Sequence, residues 1–371
     1  MIYREYGKTG VEVSAIGFGG MRFLDDDDVD QCASLVKASY DAGINYFDTA
    51  PGYGKSEELF GVAFKEMLKT RDEKPFYVST KSNKPDPAAI RKDFETSLER
   101  MGLDYVDFYH MWYILKPEVY EERKAKGALK EFEKLLDEGL IKHFCVSTHM
   151  EGSNIRKMLD DYPFEGVLLG YSVANCAYRG EGIQAASQKN MGVVVMNPLN
   201  GGFIPKHPDQ FEYAKSRDNE TVVEAALRFL LDDERITIAL VGLSTEEQLR
   251  EAVSAVDGYR PLDPEFVAEL KDEKKERFNE LCTSCCYCDS CPQEINIPGM
   301  MECYNFYMFD KKIKRVLTWL KANWDVDVAT HGPDKCVECG QCEELCTQKL
   351  PIIERLKELD AAIKAHQPES G

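Results

Sequence analysis

From its first residues to about residue 260, the chain alternates short apolar runs with longer stretches in which apolar positions recur at helical spacing. The runs Ser14–Gly17, Asn45–Asp48, Phe76–Thr80, Val106–Trp112, Ile141–Ser147, Gly166–Tyr171, Gly192–Met196 and Ile236–Val241 read as strands. They are apolar nearly throughout, as strands covered on both faces must be. Between them the pattern predicts helices over Val29–Ala42, Glu57–Leu68, Pro87–Met101, Ala128–Glu138, Gly152–Leu159, Gly182–Lys189, Thr221–Leu231 and Glu246–Val256. Ser56 and Asp86 stand where N-caps belong, and Gly43, Gly139 and Gly192 follow helix ends. Eight strands alternating with eight helices predict an α/β fold, the (β/α)8 TIM barrel. A doubly wound sheet shares the alternation, but the count of eight and the lack of GxGxxG after the first strand favour the barrel.

The pattern changes after Tyr259-Arg260-Pro261-Leu262-Asp263-Pro264, a natural boundary. The expected division is a barrel over 1–260, a linker and helix start over 261–275, and a helical module over 276–371. A charged helix is expected over Glu265–Leu281, a helical connector over about 298–323, and a last helix near Ile352–Lys364. This module holds two dense cysteine runs, Cys282-x2-Cys285-x2-Cys288-x2-Cys291-Pro292 and Cys336-x2-Cys339-x2-Cys342-x3-Cys346. The spacing is close to that of paired [4Fe–4S] cubanes, in which three thiolates of a run hold one cluster and the fourth crosses to the other. On that reading Cys282, Cys285, Cys288 and Cys346 hold one cluster, and Cys336, Cys339, Cys342 and Cys291 the other. The first run has x2 where the usual pattern has x3, and Thr347 replaces a proline after Cys346. Two zinc sites would also use eight thiolates, but zinc pairs usually come as CxxC knuckles separated by a longer loop. A module this small buries little core, so the clusters are expected to supply much of its folding energy.

Composition narrows the partners. The 371 residues carry a net charge of −19, which argues against nucleic acid. No apolar run is long enough for a membrane helix, and the N-terminus lacks a signal-peptide core, so a cytoplasmic protein with reduced thiols is expected. Cys32, Cys145 and Cys176 read as core residues, while Cys286 and Cys303 fit neither cluster spacing. The acidic run Asp25–Asp28 precedes a helix, where the dipole and solvation account for it without a metal.

The densest signal in the barrel is Asn45-Tyr-Phe-Asp48-Thr-Ala-Pro-Gly-Tyr53-Gly-Lys-Ser-Glu, at the C-terminal end of the second strand, where barrel active sites lie. Lys81 ends the third strand. An ammonium beside a phenol lowers the phenol's pKa, and a carboxylate keeps the ammonium charged. Such a phenol can protonate a carbonyl oxygen as hydride reaches its carbon.

These residues, with the opening Tyr6-Gly-Lys-Thr-Gly-Val-Glu-Val-Ser-Ala-Ile-Gly-Phe-Gly-Gly-Met-Arg, the segments Leu103–Tyr109 and Val195–Gly202, and Gly242-Leu-Ser-Thr-Glu-Glu-Gln-Leu, resemble the aldo-keto reductases, in the branch with a C-terminal 4Fe–4S ferredoxin-like domain. The resemblance implies a catalytic tetrad of Asp, Tyr, Lys and His. Asp48, Tyr53 and Lys81 match it. The family's histidine position holds Trp112, and the chain has His110 instead, on the same strand face by period-two alternation and roughly 6.5 Å further down. His149 is a second candidate, and Trp112 would shape the pocket. For the dinucleotide, the resemblance places Ser147 and Thr148 at the carboxamide, Tyr171 on the nicotinamide ring, and Asn197, Pro198, Leu199 and Gly201 over the pyrophosphate, with Gly20 and Met21 beside it. Leu168 stands where the family usually has Gln. Gly242, Ser244 and Gln248 occupy the segment where NADPH-preferring members place Lys and Arg, so NADH is favoured.

Two functions follow. The first is an oxidoreductase of an anaerobe, exchanging hydride between NADH or NADPH and a carbonyl or alcohol. The second is an electron-transfer or assembly module whose quiet barrel docks a redox partner such as ferredoxin or flavodoxin. Nicotinamide gives two electrons and a cubane takes one; a flavin usually joins such steps, and no flavin motif is visible.

Overall fold

The structure, a computed structural model, describes residues 1–277 and 280–366, with 273–277 as backbone alone. It divides into two compact units, residues 1–199 with 204–275, and residues 200–203 with those from 276 onward.

The first unit opens with an antiparallel hairpin, β1 (Tyr3–Glu5) and β2 (Glu12–Ser14), which the apolar pattern did not announce because its strands are half exposed. Eight parallel strands then close into a barrel: β3 (Ile16–Gly19), β4 (Tyr46–Asp48), β5 (Tyr77–Ser82), β6 (Val106–Ile114), β7 (Ile141–Thr148), β8 (Gly166–Gly170), β9 (Gly192–Met196) and β10 (Ile238–Gly242). They follow chain order around the barrel, and β10 closes against β3. The expected strands are all present, the first shifted by two residues toward its C-terminal end. Each expected helix is present too, joined by the unexpected Pro117–Ala125. Asp86 caps Pro87–Met101 by accepting from Ala89 N at 3.0 Å, and Thr221 and Glu224 form a reciprocal capping box on Val222–Leu231. Ser56 begins its helix rather than capping it, its hydroxyl 2.8 Å from Thr49 Oγ1.

One end of the barrel is plugged by the fully buried ring of Tyr6, packed with Tyr46, Phe108, Cys145 and Leu168. Gly166 and Gly192 make room for it: a Cβ on either would lie 2.1–2.2 Å from the tyrosine ring or its oxygen. β6 is irregular. Its register against β7 slips between Met111 and Ile114, and Tyr113 takes φ 72°, a left-handed conformation unusual for an aromatic residue.

In the second unit the expected connector is two helices, Ile297–Asp310 and Ile313–Trp324, divided where Lys311 turns left-handed (φ 53°). The last helix is Ile352–His366; the charged helix, Pro264–Arg277, belongs to the first unit up to Lys275, and its expected continuation through 278–279 lies outside the described residues. Phe203 packs on Phe306 and Phe309 at 6.0 and 5.9 Å. The cysteine runs lie largely in irregular loops, with left-handed backbone at Ser284, Cys286 and Glu338.

Candidate active site

β4 and β5 are neighbours, with Asp48 opposite Ser79, so both of their chemical residues reach one buried point. Lys81 Nζ donates to Asp48 Oδ1 at 2.5 Å and to the Thr49 carbonyl at 2.6 Å. Ser79 Oγ donates to the other Asp48 oxygen at 2.7 Å. Asp48 and Lys81 are both buried. Burial drives the carboxyl above its ordinary range and the ammonium below its own, and each restrains the other's shift by its opposite charge. The loop after β4 carries Tyr53 over this pair, with Lys81 Nζ 5.0 Å from its ring centre. Trp112, brought round by the β6 bulge, meets Tyr53 edge-on at 5.7 Å.

His110 stands opposite Lys81 in the strand register. It is fully buried, and neither ring nitrogen finds a hydrogen-bond partner among the described residues. Burial, aided by the Lys81 charge, pushes its pKa down to about 3, so it is neutral near pH 7. The bulge also breaks the strict alternation on which His110 and Trp112 were matched in direction. His149, just past β7, is likewise pushed to about 3, by burial and the Arg179 charge.

The residues expected around a dinucleotide lie at the strand ends and loops of the same unit, apart from Gly201. Ser147 is fully buried, and its hydroxyl has no partner among the described residues. Thr148 Oγ1 is already committed to the Ile114 carbonyl at 2.9 Å. Leu168 is the register partner of Ser147. Tyr171 is buried and stacked on Phe229 at 6.0 Å. Gly20 and Met21 form a short turn after β3, where a Cβ on Gly20 would strike Ser56 and Phe60. Asn197 is left-handed (φ 56°) and opens the turn that leads through Pro198 and Leu199. Gly201 belongs to the second unit, with φ 68° and the Thr283 carbonyl 2.1 Å from where its Cβ would be. Gln248 Oε1 accepts from Ser244 N at 2.8 Å, while Thr245 Oγ1 caps the helix by accepting from Gln248 N at 3.3 Å. Sequence reasoning passed over Arg22, whose side-chain carbons lie against Gly242 and bring a cation to that turn. Its place in the Gly19-Gly-Met-Arg22 segment was the only available signal.

The aldo/keto reductase family profile matches residues 15–274. The chain belongs to that family. As an aldo/keto reductase it is an oxidoreductase of the NAD(P)-dependent type. It is 28% identical over 305 residues to L-galactose dehydrogenase of Arabidopsis thaliana, a match covering 72% of this chain and 92% of the relative. It is 27% identical over 323 residues to the uncharacterized oxidoreductase YrpG of Bacillus subtilis, covering 73% and 95%. Among solved structures, the holo form of aldo-keto reductase AKR11C1 from Bacillus halodurans superposes with TM-score 0.62 at 22% identity, covering 75% of this chain and 97% of that one. The likeness to that structure is one of fold. No helix among the described residues is long and apolar enough to cross a membrane.

The family match ends before the cysteine runs of this aldo/keto reductase. Cys282, Cys288, Cys342 and Cys346 are buried, Cys285, Cys291 and Cys336 half-buried, and Cys339 exposed. Among the described residues, no three His, Cys, Asp or Glu side chains converge tightly enough to hold one metal ion. Cys282, Cys285, Cys288 and Cys346 nevertheless line one small cavity, together with Cys286, Met301, Thr347 and Ile352. Backbone N–H groups of Ser284 and Leu350 donate to Cys282 and Cys346, each at 3.4 Å. Of the remaining cysteines, Cys32, Cys145, Cys176 and Cys303 are buried and Cys286 is exposed.

Proposed function

We propose that the chain is an iron–sulfur aldo-keto reductase, exchanging hydride between a nicotinamide dinucleotide and a carbonyl or alcohol. The observation that carries this is the buried Lys81–Asp48 pair beneath Tyr53. When bound, the nicotinamide supplies or accepts the hydride. Tyr53 donates the proton to the carbonyl oxygen; Lys81 lowers its pKa; Asp48 and the Thr49 carbonyl hold Lys81. The partnerless Ser147 hydroxyl is a buried donor and acceptor suited to a carboxamide. Trp112, rather than a histidine, forms the wall beside Tyr53, and this aromatic side favours an apolar or ring-bearing substrate. Gly242 and Gln248 favour NADH, with Arg22 the residue that opposes this preference.

The cysteines fit two [4Fe–4S] clusters better than zinc. The spacing of the two runs matches cubanes more closely than zinc knuckles, and Cys346 of the second run lines the same cavity as Cys282, Cys285 and Cys288 of the first. A second reading, a quiet barrel serving an electron-transfer module that meets ferredoxin or flavodoxin, is favoured by His110, which is fully buried and neutral.

The test is to purify the protein anaerobically, measure iron and sulfide, and assay aldehydes, quinones and ketosteroids with NADH and NADPH. The reductase reading expects turnover that falls roughly 10²–10⁴-fold in Tyr53→Phe. No turnover in any assay, with rapid electron exchange with ferredoxin or flavodoxin, establishes the second reading. Absence of iron and sulfide removes the clusters from both.

A further inference from the structure

Arg355 lies in the first turn of the helix Ile352–His366, whose Ile352 lines the cysteine cavity. It is 2% exposed, and its Nη1 has no hydrogen-bond partner among the described residues. The guanidinium stacks over the Tyr304 ring, 4.7 Å from its centre. Its Nη2 is 3.6 Å from a Glu280 carboxylate whose side chain is 65% exposed. An ion pair so open to water is a weak counter-charge for a buried cation. Cys282 and Cys346 lie within electrostatic range of the guanidinium. A buried arginine with an open donor beside a cavity of thiols calls for an anion in that cavity.

The two sets of cysteines differ in setting. Of the assigned set Cys282, Cys285, Cys288 and Cys346, three are buried, and two receive backbone N–H groups. The other set includes the exposed Cys339, and between Cys336 and Cys339 stands Val337, 58% exposed. The cation whose charge bears on Cys336, Lys357, is itself exposed and paired with Glu338 at 2.8 Å. Water screens that charge, whereas burial leaves Arg355 at full strength.

We propose that Arg355 is the counter-charge of the cluster held by Cys282, Cys285, Cys288 and Cys346, and that it makes this inner cluster the one that retains an electron, while the cluster of Cys291, Cys336, Cys339 and Cys342 exchanges electrons with the outside. This rests on the iron–sulfur reading above. Four thiolates give a cubane net negative charge, and reduction adds one more, so a fixed buried cation stabilises the reduced form and raises the potential. A one-electron donor such as reduced viologen takes the outer cluster from 2+ to 1+. Transfer inward returns the outer cluster to 2+ and leaves the inner one at 1+. No bond forms or breaks and no proton moves.

The test is an anaerobic redox titration followed by EPR on the iron-loaded full chain. A soluble paramagnetic lanthanide chelate marks the exposed cluster by hastening its relaxation. Arg355→Gln is expected to lower the potential of the unmarked cluster by at least tenfold in equilibrium constant, about 59 mV for one electron. Arg355→Lys keeps most of the wild-type value, and Lys357→Gln leaves the unmarked cluster unchanged. Unaltered potentials in Arg355→Gln, or a shift confined to the marked cluster, overturn the proposal. If Arg355→Gln does not load iron, Arg355→Lys decides: a near-wild-type potential supports the charge, and a full drop overturns it. A wild-type protein without iron and sulfide fails at the earlier step and is recognised there by analysis.

Discussion

On the proposed mechanism Lys81 must stay charged in a place that disfavours charge, and the adjacent Asp48 carboxylate opposes that loss. Asp48→Asn removes the only carboxylate at hydrogen-bonding distance of Nζ among the described residues, while the Thr49 carbonyl remains. The ammonium then loses its proton more readily and no longer draws the Tyr53 phenol down. We expect kcat for carbonyl reduction to fall roughly 10²–10⁴-fold. The alkaline limb of the pH profile, where Tyr53 loses its proton, should move to higher pH. A limb that stays in place would detach Lys81 from the phenol. His110 makes a second prediction. Its folded pKa of about 3 lies below the ordinary 6.5, so between these values the unfolded chain binds the proton that the folded chain refuses. Stability is therefore present near pH 7 and declines as pH falls from 6.5 toward 3, by about 1.4 kcal/mol per unit for each such histidine. His149 behaves alike. His110→Gln should flatten the acid slope of stability in urea titrations at pH 5 to 7. At this scale Asp48, Tyr53 and Lys81 were legible because a known pattern names them. Arg355 and Arg22 were not, because their meaning lies in neighbours far along the chain.

Among elements, the eight strands could be read because each carries a short apolar run, interrupted by few polar residues such as Asp107 and Lys142. The β6 bulge could not, because nothing in Met111-Trp-Tyr-Ile114 marks where backbone alternation fails. That one extra residue turns Trp112 toward Tyr53. The plug at the other end of the barrel is also set by backbone proximity. Gly192→Ala would drive a methyl into the Tyr6 ring, 2.2 Å from the nearest ring carbon. We expect a loss of about 1–3 kcal/mol or more, seen as a lower urea midpoint with unchanged slope. Tyr6→Phe in the same background should not restore stability, because the clash is with ring carbons that phenylalanine keeps.

For the whole molecule, the two units should differ in their need for iron. Removing iron and sulfide with a chelator under reducing conditions should expose 280–366 to proteolysis. The barrel, with its own core, should retain its helical circular dichroism and melt as a separate transition. A single melt unaffected by iron would refute the view that the cysteine unit is folded by its clusters. The composition change near residue 260 showed that a second unit follows the barrel.

Nothing in the sequence showed that residues 200–203 group with the second unit. Phe203, 4% exposed, packs on Phe306 and Phe309, and Gly201 abuts Thr283. The second unit is therefore discontinuous along the chain. A barrel expressed alone, ending at 275, would carry an orphaned phenylalanine to the surface and invite aggregation, and a cysteine module expressed from 276 would leave a hole in its own core. Neither half can be cloned, swapped or appended to another barrel by cutting at the linker alone; the graft must bring residues 200–203 of the host loop with it.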